Sequence, residues 1–581
     1  MLSVYLFALG ASLIAAAPTR NCASCRNIPG DPGWPTTAQW SELNATVSGR
    51  LIATNPLSHV CHDPTYDEEA CNALKEVWGP PAVQLAEPAE FFSPYFLNQT
   101  CVPQTDRGRP CELGNYASYS IDVRGPEDVA AGLAFSERYN IRVSILNTGH
   151  DFLGKSAGLG SLSLWTYNLK GMDFIESYNS SYYNGPAAKL GAGVAGGDAV
   201  AFAGARGYRV LTGNCPSVGA SGGFTQGGGF GPLTGLYGLG SDNVLEWEVV
   251  TANGTHLVAT PTQNEDLYYA LSGGGGGTYG VVLSMTTRVH PEEPVVGAMF
   301  NFNVTAAGGV EPFWSAVTIF LSHVGPLVEQ GLLIGFDVRE GRFTLQVAFA
   351  PDGSTPAELT EKLQPLLDDL AEHNGLTAEV LAVGRVAAPN FYQLYRAMSG
   401  PFALEGGHSV VGSRFFSRDT VANNAAAVAD AFRTTTDGGL FNIVCQGFDA
   451  SRPTRSSPVA ETGATESWRS ALFTCFFPTL WDWETTDVDE NWAKVPGLQE
   501  RMVDVILPAM AAVGPNDGAY LNEGNHAQPD FQRTFYGSNY ERLRSIKKMH
   551  DPSDIFYAVT AVGSEVWAQD AQGRLCRTGI H

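Results

Sequence analysis

Two glycine-bearing segments decide the fold of this chain: NTGHDFLGKSAG at 147–158 and TGNCPSVGASGG at 212–223. A third glycine run, LSGGGGGTYGVVL, follows at 271–283. Glycine takes positive φ angles easily and lets a bound ligand approach the main chain closely. A flexible linker would lack the large apolar and aromatic residues that interrupt these runs throughout. The segments therefore predict loops that fold around a ligand.

The first segment also matches a phosphate-binding loop. Residues 149–156, GHDFLGKS, fit the pattern GxxxxGK[ST], and the strand-like IRVSIL precedes them at 141–146. Such a loop must run directly into a helix whose N-terminal amides hold the phosphates. The residues that follow, AGLGSLSLW, contain two glycines and no helical period. An ATPase is therefore a remote alternative.

A dinucleotide fingerprint, GxGxxG, occurs in GAGVAG at 191–196. This fingerprint needs a preceding apolar strand and an acidic residue about 20 positions later that holds the ribose. Here YNGPAAKL precedes it, and no acidic residue lies between Asp198 and Asp242. The pattern gives a Rossmann site little support.

The hydrophobic patterns around the glycine loops predict a mixed fold. SYSIDV (118–123) and IRVSIL are strand-like and flank the helix-like PEDVAAGLAFSERYN (126–140), while VLEWEVVTANGTHLVAT (244–260) is strand-like. Further along, LLIGFDV and FTLQVAFA alternate as strands do, and PAELTEKLQPLLDDLAEHNG predicts an amphipathic helix closed by Gly375. SNYERLRSIKKMHDPSDIF, near the C-terminus, predicts a helix that begins near Ser538 or Asn539.

Length and charge restrict the possible functions. At 581 residues the chain is long enough for two or more domains. The 35 basic and 59 acidic side chains give a net charge of −24, which disfavours nucleic acid and anionic membrane surfaces as partners. Residues 1–17 contain an apolar stretch too short to span a bilayer, followed by small residues, and are interpreted as a signal peptide.

Other features agree with a secreted glycoprotein. Five glycosylation sequons begin at Asn44, Asn98, Asn179, Asn253 and Asn303. The chain has ten cysteines, of which Cys61 with Cys71 and Cys101 with Cys111 are disulfide candidates. Cys22 and Cys25 form one CxxC pair, but no thioredoxin-like pattern follows, so we interpret them as structural.

Taken together and in this order, the three glycine segments resemble one flavoprotein family. The chain looks like a member of the vanillyl-alcohol oxidase superfamily, in its berberine-bridge-enzyme-like branch, and GAYLNEGN with SNYERLRSIKKMHDPSDIF resembles the closing motif of that branch. The resemblance implies an α+β fold with a split FAD-binding domain and an antiparallel-sheet substrate domain. The implied division is 18–115 (a Cys- and Pro-rich part of the FAD domain), 116–291 (FAD-binding), 292–505 (substrate) and 506–581 (return to the FAD domain).

The same resemblance implies a bicovalent flavin. A histidine in the first loop bonds the flavin 8α-methyl carbon and a cysteine in the second bonds ring carbon six, and the matching positions are His150 and Cys215. The diphosphate is expected against backbone amides of both loops, which form an anion-binding nest without basic side chains. The remaining expected cofactor-binding residues are Asn147, Thr148, Gly149, Asp151, Phe152, Gly154, Val218, Gly219, Gly222, Gly223 and Asn522.

The catalytic base is less clearly indicated. Tyr520 and Asn522 match the Y-x-N pattern of the family, but Glu523 stands where the family often has a further tyrosine. Glu523 or His526 could serve as the base, and Tyr392 or Tyr395 could face the flavin from the substrate domain. For each of these residues an ordinary solvated or core position is the competing interpretation.

These observations predict a monomeric, secreted FAD oxidoreductase. It would take a hydride from an alcohol, sugar or secondary-metabolite carbon and pass the electrons to oxygen, and it would need no metal. A dehydrogenase or an oxidative cyclase of the same fold stays open, because access of oxygen to the flavin is not readable from sequence. A secreted binding protein without catalysis is disfavoured, since both attachment residues are present.

Overall fold

The computed structural model describes residues 25–78, 82–399, 410–451, 453–479, 488–570 and 572–579. The expected signal peptide and Cys22 lie outside these ranges. No helix within them is long and apolar enough to cross a membrane.

The strands in the described ranges form three groups along the chain and a C-terminal pair. The first group is β1 (Leu51–Ala53), β2 (Tyr119–Asp122), β3 (Val143–Leu146) and β4 (Leu162–Trp165). The second is β5 (Met172–Asn179), β6 (Asn184–Gly191), β7 (Tyr208–Arg209), β8 (Val244–Val250), β9 (His256–Ala259), β10 (Val281–Arg288) and β11 (His290–Pro291). The third is β12 (Val295–Asn303), β13 (Leu333–Arg339), β14 (Arg342–Ala350), β15 (Gly384–Ala388), β16 (Ser413–Ser417), β17 (Ile443–Gly447) and β18 (Ala471–Phe476), and the C-terminal pair is β19 (Trp567–Gln569) and β20 (Leu575–Arg577).

Helices connect and cover these sheets. The α-helices in the described ranges are α1 (Thr37–Thr46), α2 (Glu68–Val77), α3 (Ala82–Leu85), α4 (Pro94–Leu97), α5 (Pro126–Tyr139), α6 (Gly196–Gly204), α7 (Thr234–Tyr237), α8 (Glu265–Leu271), α9 (Val310–Glu329), α10 (Pro356–Asn374), α11 (Phe391–Ser399), α12 (Arg418–Thr436), α13 (Ser467–Ser470), α14 (Val488–Arg501), α15 (Leu507–Val513) and α16 (Tyr540–His550). π-Helical turns occur at Ala220–Phe224, Met502–Ile506 and Gln532–Tyr536, and 3₁₀ turns at Leu57–Cys61, Ser241–Asn243, Gly537–Asn539 and Ser564–Val566.

The first sheet has the strand order β1-β2-β4-β3, and β4 runs parallel to both β2 and β3. The predicted helix at 126–140 is confirmed as α5, which has Pro126 at its first position and acidic residues in its first turn. Asn140 ends α5 in the left-handed region, with φ of 49°. The first glycine loop begins directly after strand β3.

The second sheet, β5-β6-β10-β8-β9, is antiparallel throughout. The segment predicted as one strand-like stretch at 244–260 is a hairpin, because Asn253 accepts a hydrogen bond from the Thr255 amide and Gly254 takes a φ of 78°. The GAGVAG segment does follow a strand, β6, contrary to expectation. Since β6 pairs only with antiparallel neighbours, this is not the parallel arrangement of a Rossmann site. Its Gly193 instead packs against the Tyr167 carbonyl.

The third sheet has the order β15-β12-β14-β13-β17-β18-β16 and is also antiparallel. Side chains alternate along its strands: Ile443 and Cys445 pack into the core beneath helices α9, α10 and α12, and Val444 and Gln446 point to the opposite face. Helix α10 confirms the predicted amphipathic helix and ends at Gly375, where φ is 66°. The helix therefore needs glycine at its end.

Disulfides join the described parts of the chain. The predicted pairs Cys61–Cys71 and Cys101–Cys111 are confirmed, and Cys445 bonds Cys475 between β17 and β18. Cys25 bonds Cys576, which agrees with the structural interpretation of Cys25 and joins the first described segment to the last. The predicted C-terminal helix is α16, with Leu543 and Ile546 buried.

Candidate active site

A cavity of about 730 Å³ lies between the glycine loops and the third sheet. Its volume is within the range of small-molecule and cofactor sites. The expected cofactor residues on its wall are Asn147, Thr148, Gly149, His150, Asp151, Phe152, Cys215, Val218, Gly219, Gly222, Gly223 and Asn522. Gly154 lies off the wall, where the absence of a side chain makes room for the ring of Phe96. The opposite wall comes from strands β13, β14, β17 and β18.

The first glycine loop offers backbone donors to a ligand. No acceptor within the described residues takes the amide hydrogens of Gly149, His150 and Asp151. The Asp151 carboxylate faces its own loop, where it accepts from the amides of Leu153 at 2.9 Å and Ser156 at 2.8 Å. Free amides at a loop with a positive-φ glycine suit a phosphate group. No helix follows the GxxxxGK[ST] pattern, as the sequence predicted, because the next element is strand β4.

One side of the second glycine loop packs against Asn147, and its other side is open. A side chain at Gly219 or Gly222 would collide with Asn147, whereas a Cβ on Gly223 would meet nothing within 4 Å. Asn147 and Gln226 line the cavity, and their side-chain amide oxygens are buried without a hydrogen-bond partner in the described structure. Buried polar atoms are normally satisfied. This backbone wall with unsatisfied polar atoms fits a flavin dinucleotide, which would lie along both loops and supply hydride acceptance.

The two predicted attachment residues meet on this wall. Nε2 of His150 lies 2.8 Å from the Ser217 hydroxyl, and Sγ of Cys215 lies 3.4 Å from the same oxygen. Burial lowers the pKa of His150 to about 3, so the imidazole is neutral at physiological pH. Cys215 is the free thiol among the described cysteines. The two side chains therefore lie close together, with Ser217 as a shared neighbour.

An N-terminal segment supports His150 from the other side. The Phe92 amide donates to the Gly149 carbonyl at 3.2 Å, and the Phe92 ring packs on the His150 ring with centroids 4.6 Å apart. Phe92 lies between the two confirmed short disulfide loops. The Cys- and Pro-rich segment therefore helps to hold the histidine loop in place.

The C-terminal return brings Glu523 to the cavity. Asn522 connects this return to the second glycine loop, because its amide donates to the Gly223 carbonyl at 2.8 Å and to the Tyr520 hydroxyl at 2.7 Å. Glu523 lines the cavity, and burial raises the pKa of its carboxyl to about 8. A carboxyl with this pKa can act as a general base above neutral pH.

The other three catalytic candidates lie outside the main cavity wall. The Tyr392 ring packs on Gly204 of α6, and the Tyr395 hydroxyl donates to the Gly213 carbonyl at 3.1 Å. Tyr395 lines a small side pocket of about 30 Å³. His526 packs between two rings of the N-terminal segment, 4.5 Å from that of Tyr95, and burial lowers its pKa to about 4.

The sheet wall contains residues that were not identified from the sequence. Gln446 on β17 and Thr474 on β18 are directly opposite in register, and both line the cavity. The Gln446 amide oxygen and the Thr474 hydroxyl are buried without a partner in the described structure. The alternation in IVCQG and ALFTCF could have indicated a polar face. Only the sheet order shows that this face meets the glycine loops.

Two family models match the chain. Residues 118–260 match the FAD binding domain model, and residues 519–563 match the model described as berberine and berberine like. The matched ranges contain both glycine loops and the Tyr520–Glu523 segment.

Relatives match over nearly the whole length. The VAO-type flavoprotein oxidase VAO615 of Thermothelomyces thermophilus is 42% identical over 563 residues, which is 95% of this chain and 95% of that protein. The bifunctional decalin synthase calF of Penicillium decumbens is 41% identical over 574 residues, or 97% of each chain. The crystal structure of MtVAO615 from Myceliophthora thermophila C1 matches with a TM-score of 0.89 and 41% identity, and covers 95% of this chain and 100% of that chain.

Proposed function

Since the chain belongs to the vanillyl-alcohol oxidase superfamily of FAD-linked oxidoreductases, in its berberine-bridge-enzyme-like branch, we propose that it is an oxidase whose flavin is bonded to both His150 and Cys215. The observation that carries this proposal is the convergence of the two side chains on Ser217 at the cavity wall. Carbon six and the 8-methyl group belong to the same ring of a flavin. Two protein bonds to that ring therefore require two nucleophiles that lie close together.

Each wall of the cavity has its own part in the proposed reaction. The two glycine loops would hold the FAD, which would supply hydride acceptance from the substrate carbon. Glu523 removes the proton from the substrate hydroxyl, because its carboxyl faces the cavity and its raised pKa favours proton uptake. Gln446 and Thr474 form the polar part of the opposite wall, where they orient the substrate. The substrate class is an alcohol, sugar or secondary metabolite with a hydroxyl-bearing carbon.

A second candidate is an oxidation coupled to ring formation. The likeness to a protein named decalin synthase over 97% of both chains favours it. Val444 and Phe476, opposite one another in register, add an apolar patch beside Gln446 and Thr474. Such a surface would suit a partly hydrophobic substrate. Product analysis distinguishes the two candidates, because only the second gives a new carbon ring.

We further propose that the enzyme works outside the cell as a monomer. Four disulfides in the described structure support an oxidising compartment. The sequon residues Asn98, Asn179, Asn253 and Asn303 are exposed. Light scattering and glycosidase treatment of protein recovered from culture medium test these points.

The oxidase assignment can be tested without knowing the substrate. The purified holoenzyme is photoreduced without oxygen and then mixed with air-saturated buffer, and the flavin absorbance is followed. An oxidase regains its oxidised spectrum rapidly and forms hydrogen peroxide. If the reduced flavin persists for minutes but reacts at once with an artificial electron acceptor, the enzyme is a dehydrogenase.

A further inference from the structure

Ser217 lies between the two attachment residues but is not itself part of the cavity wall. Its hydroxyl is 2.8 Å from Nε2 of His150 and 3.4 Å from Sγ of Cys215. The turn that carries it is fixed, because the Pro216 carbonyl accepts from the Gly197 amide at 2.8 Å and the Val218 amide donates to the Cys215 carbonyl. The hydroxyl is therefore held by a fixed turn within reach of both attachment residues.

This position determines which histidine nitrogen is available. A neutral imidazole carries one proton, and the hydrogen bond made by one nitrogen fixes the state of the other. When Nε2–H donates to the Ser217 oxygen, Nδ1 keeps its lone pair. Nδ1 has no hydrogen-bond partner in the described part of the chain. The Ser217 O–H is then free to donate to the Cys215 sulfur, which fixes the position of the sulfur beside the imidazole.

We propose that Ser217 is a positioning residue for flavin attachment, whose hydroxyl holds the imidazole of His150 and the sulfur of Cys215 next to one another. This inference rests on the proposed function. Nδ1 forms one N–C bond to the 8α carbon, and Sγ forms one S–C bond to carbon six. Each coupling removes one hydrogen from the flavin carbon and one from the side chain. The two electrons and two protons released in each coupling pass to dioxygen and give hydrogen peroxide.

The test measures attachment rather than turnover. Apoprotein of wild type, Ser217→Ala and Ser217→Thr is incubated with FAD in air, samples are quenched in acid over time, and peptide mass spectrometry measures flavin on each attachment peptide. Ser120→Ala is the control, because it removes another serine hydroxyl engaged in a hydrogen bond, one that donates to the Pro88 carbonyl at 2.7 Å outside the cavity. Each variant is also prepared with Cys215→Ala, so that the bond to His150 is measured alone.

We expect Ser217→Ala to slow attachment at His150 about tenfold or more, with or without Cys215, which is the effect of one lost hydrogen bond. Ser217→Thr restores the hydroxyl and should restore most of the rate, and Ser120→Ala should match wild type. Attachment of Ser217→Ala at the wild-type rate would overturn the inference. So would an equal loss in Ser217→Thr, because the hydroxyl would then not be the cause. Wild type without any covalent flavin would instead overturn the proposed function.

Discussion

The imidazole of His150 and the thiol of Cys215 approach the same hydroxyl oxygen, that of Ser217, at 2.8 and 3.4 Å. The two residues come from different loops, one after strand β3 and the other after helix α6 and strand β7. Both residues lie on the wall of the cavity that fits the flavin, and Ser217 lies off that wall. Covalent attachment at both residues is therefore the first property to test.

The flavin should be released only when both attachment residues are removed. In acid-denatured protein on a gel, wild type, His150→Ala and Cys215→Ala should each show flavin fluorescence, because one bond is enough to retain the flavin. The double variant should lose it completely. Intact mass should show a single FAD added to each of the first three proteins. Flavin that remains on the denatured double variant would contradict the assignment of these residues.

Changing Glu523 should remove the proposed proton acceptor. We expect Glu523→Gln to slow flavin reduction by the first substrate found in a peroxide screen by about 10²- to 10⁴-fold, the usual contribution of a general base. The base must be ionised, so the wild-type reduction rate should rise with pH through an apparent pKa near 8. Anaerobic stopped-flow absorbance measures both effects. Glu500→Gln, which changes an exposed glutamate, serves as the control. If the reduction rate of Glu523→Gln still rises with pH as that of wild type does, Glu523 is not the base.

Glu90 should make the stability depend on pH. Its carboxyl accepts from the Leu57 amide at 2.9 Å and the Tyr116 hydroxyl at 3.0 Å, and burial raises its pKa from 4.5 to about 7. A carboxyl whose pKa is higher in the folded state than in the unfolded state makes its full contribution to the free energy of unfolding below its unfolded-state pKa. This contribution is lost as pH rises through the folded-state pKa. The loss is on the order of 3 kcal/mol between pH 4.5 and 7.

Glu90→Gln stays neutral and should flatten this part of the profile. Thermal unfolding followed by flavin fluorescence from pH 4 to 8 measures the difference from wild type. The exposed Glu112→Gln is expected to follow the wild-type curve. Parallel curves for wild type and Glu90→Gln would show that Glu90 does not titrate in this range.

The buried pair of Lys547 and Asp551 should be essential for stability. Their side chains are 3% and 0% exposed and 2.7 Å apart, and the lysine also donates to the Phe556 carbonyl at 2.9 Å beside the cavity. Asp551→Asn leaves the lysine charge buried without its partner, at a cost of about 3–5 kcal/mol. Arg107→Ala, which breaks an exposed pair with Asp63, should cost less than about 1 kcal/mol.

Thermal unfolding of the two variants measures these costs. Adding Lys547→Met to Asp551→Asn should recover part of the loss, because no unpaired charge then remains in the core. A fall in Tm no larger for Asp551→Asn than for Arg107→Ala would contradict the prediction.

Much of the fold could be predicted from local patterns. Helices α5 and α10 and strand β3 carry their own signals: Pro126 at a helix start, Gly375 at a helix end, and a short apolar β-branched run. The hairpin β8–β9 was missed, because its turn at Asn253 and Gly254 lies inside an otherwise strand-like stretch. The placement of Tyr395 and Gln446 was beyond sequence reasoning, since it depends on how separate elements pack.

The sequence by itself determined the chemistry available: the glycine loops, one histidine and one cysteine in them, and a family resemblance that the relatives confirm. These are local properties, because glycine conformation and side-chain type act within a few residues. Only the tertiary structure decided which groups meet. Ser217 joins His150 to Cys215, and Gln446 faces the glycine loops, because long-range burial and sheet order bring distant segments together. No sequence spacing encodes those distances, since they result from packing of the whole chain.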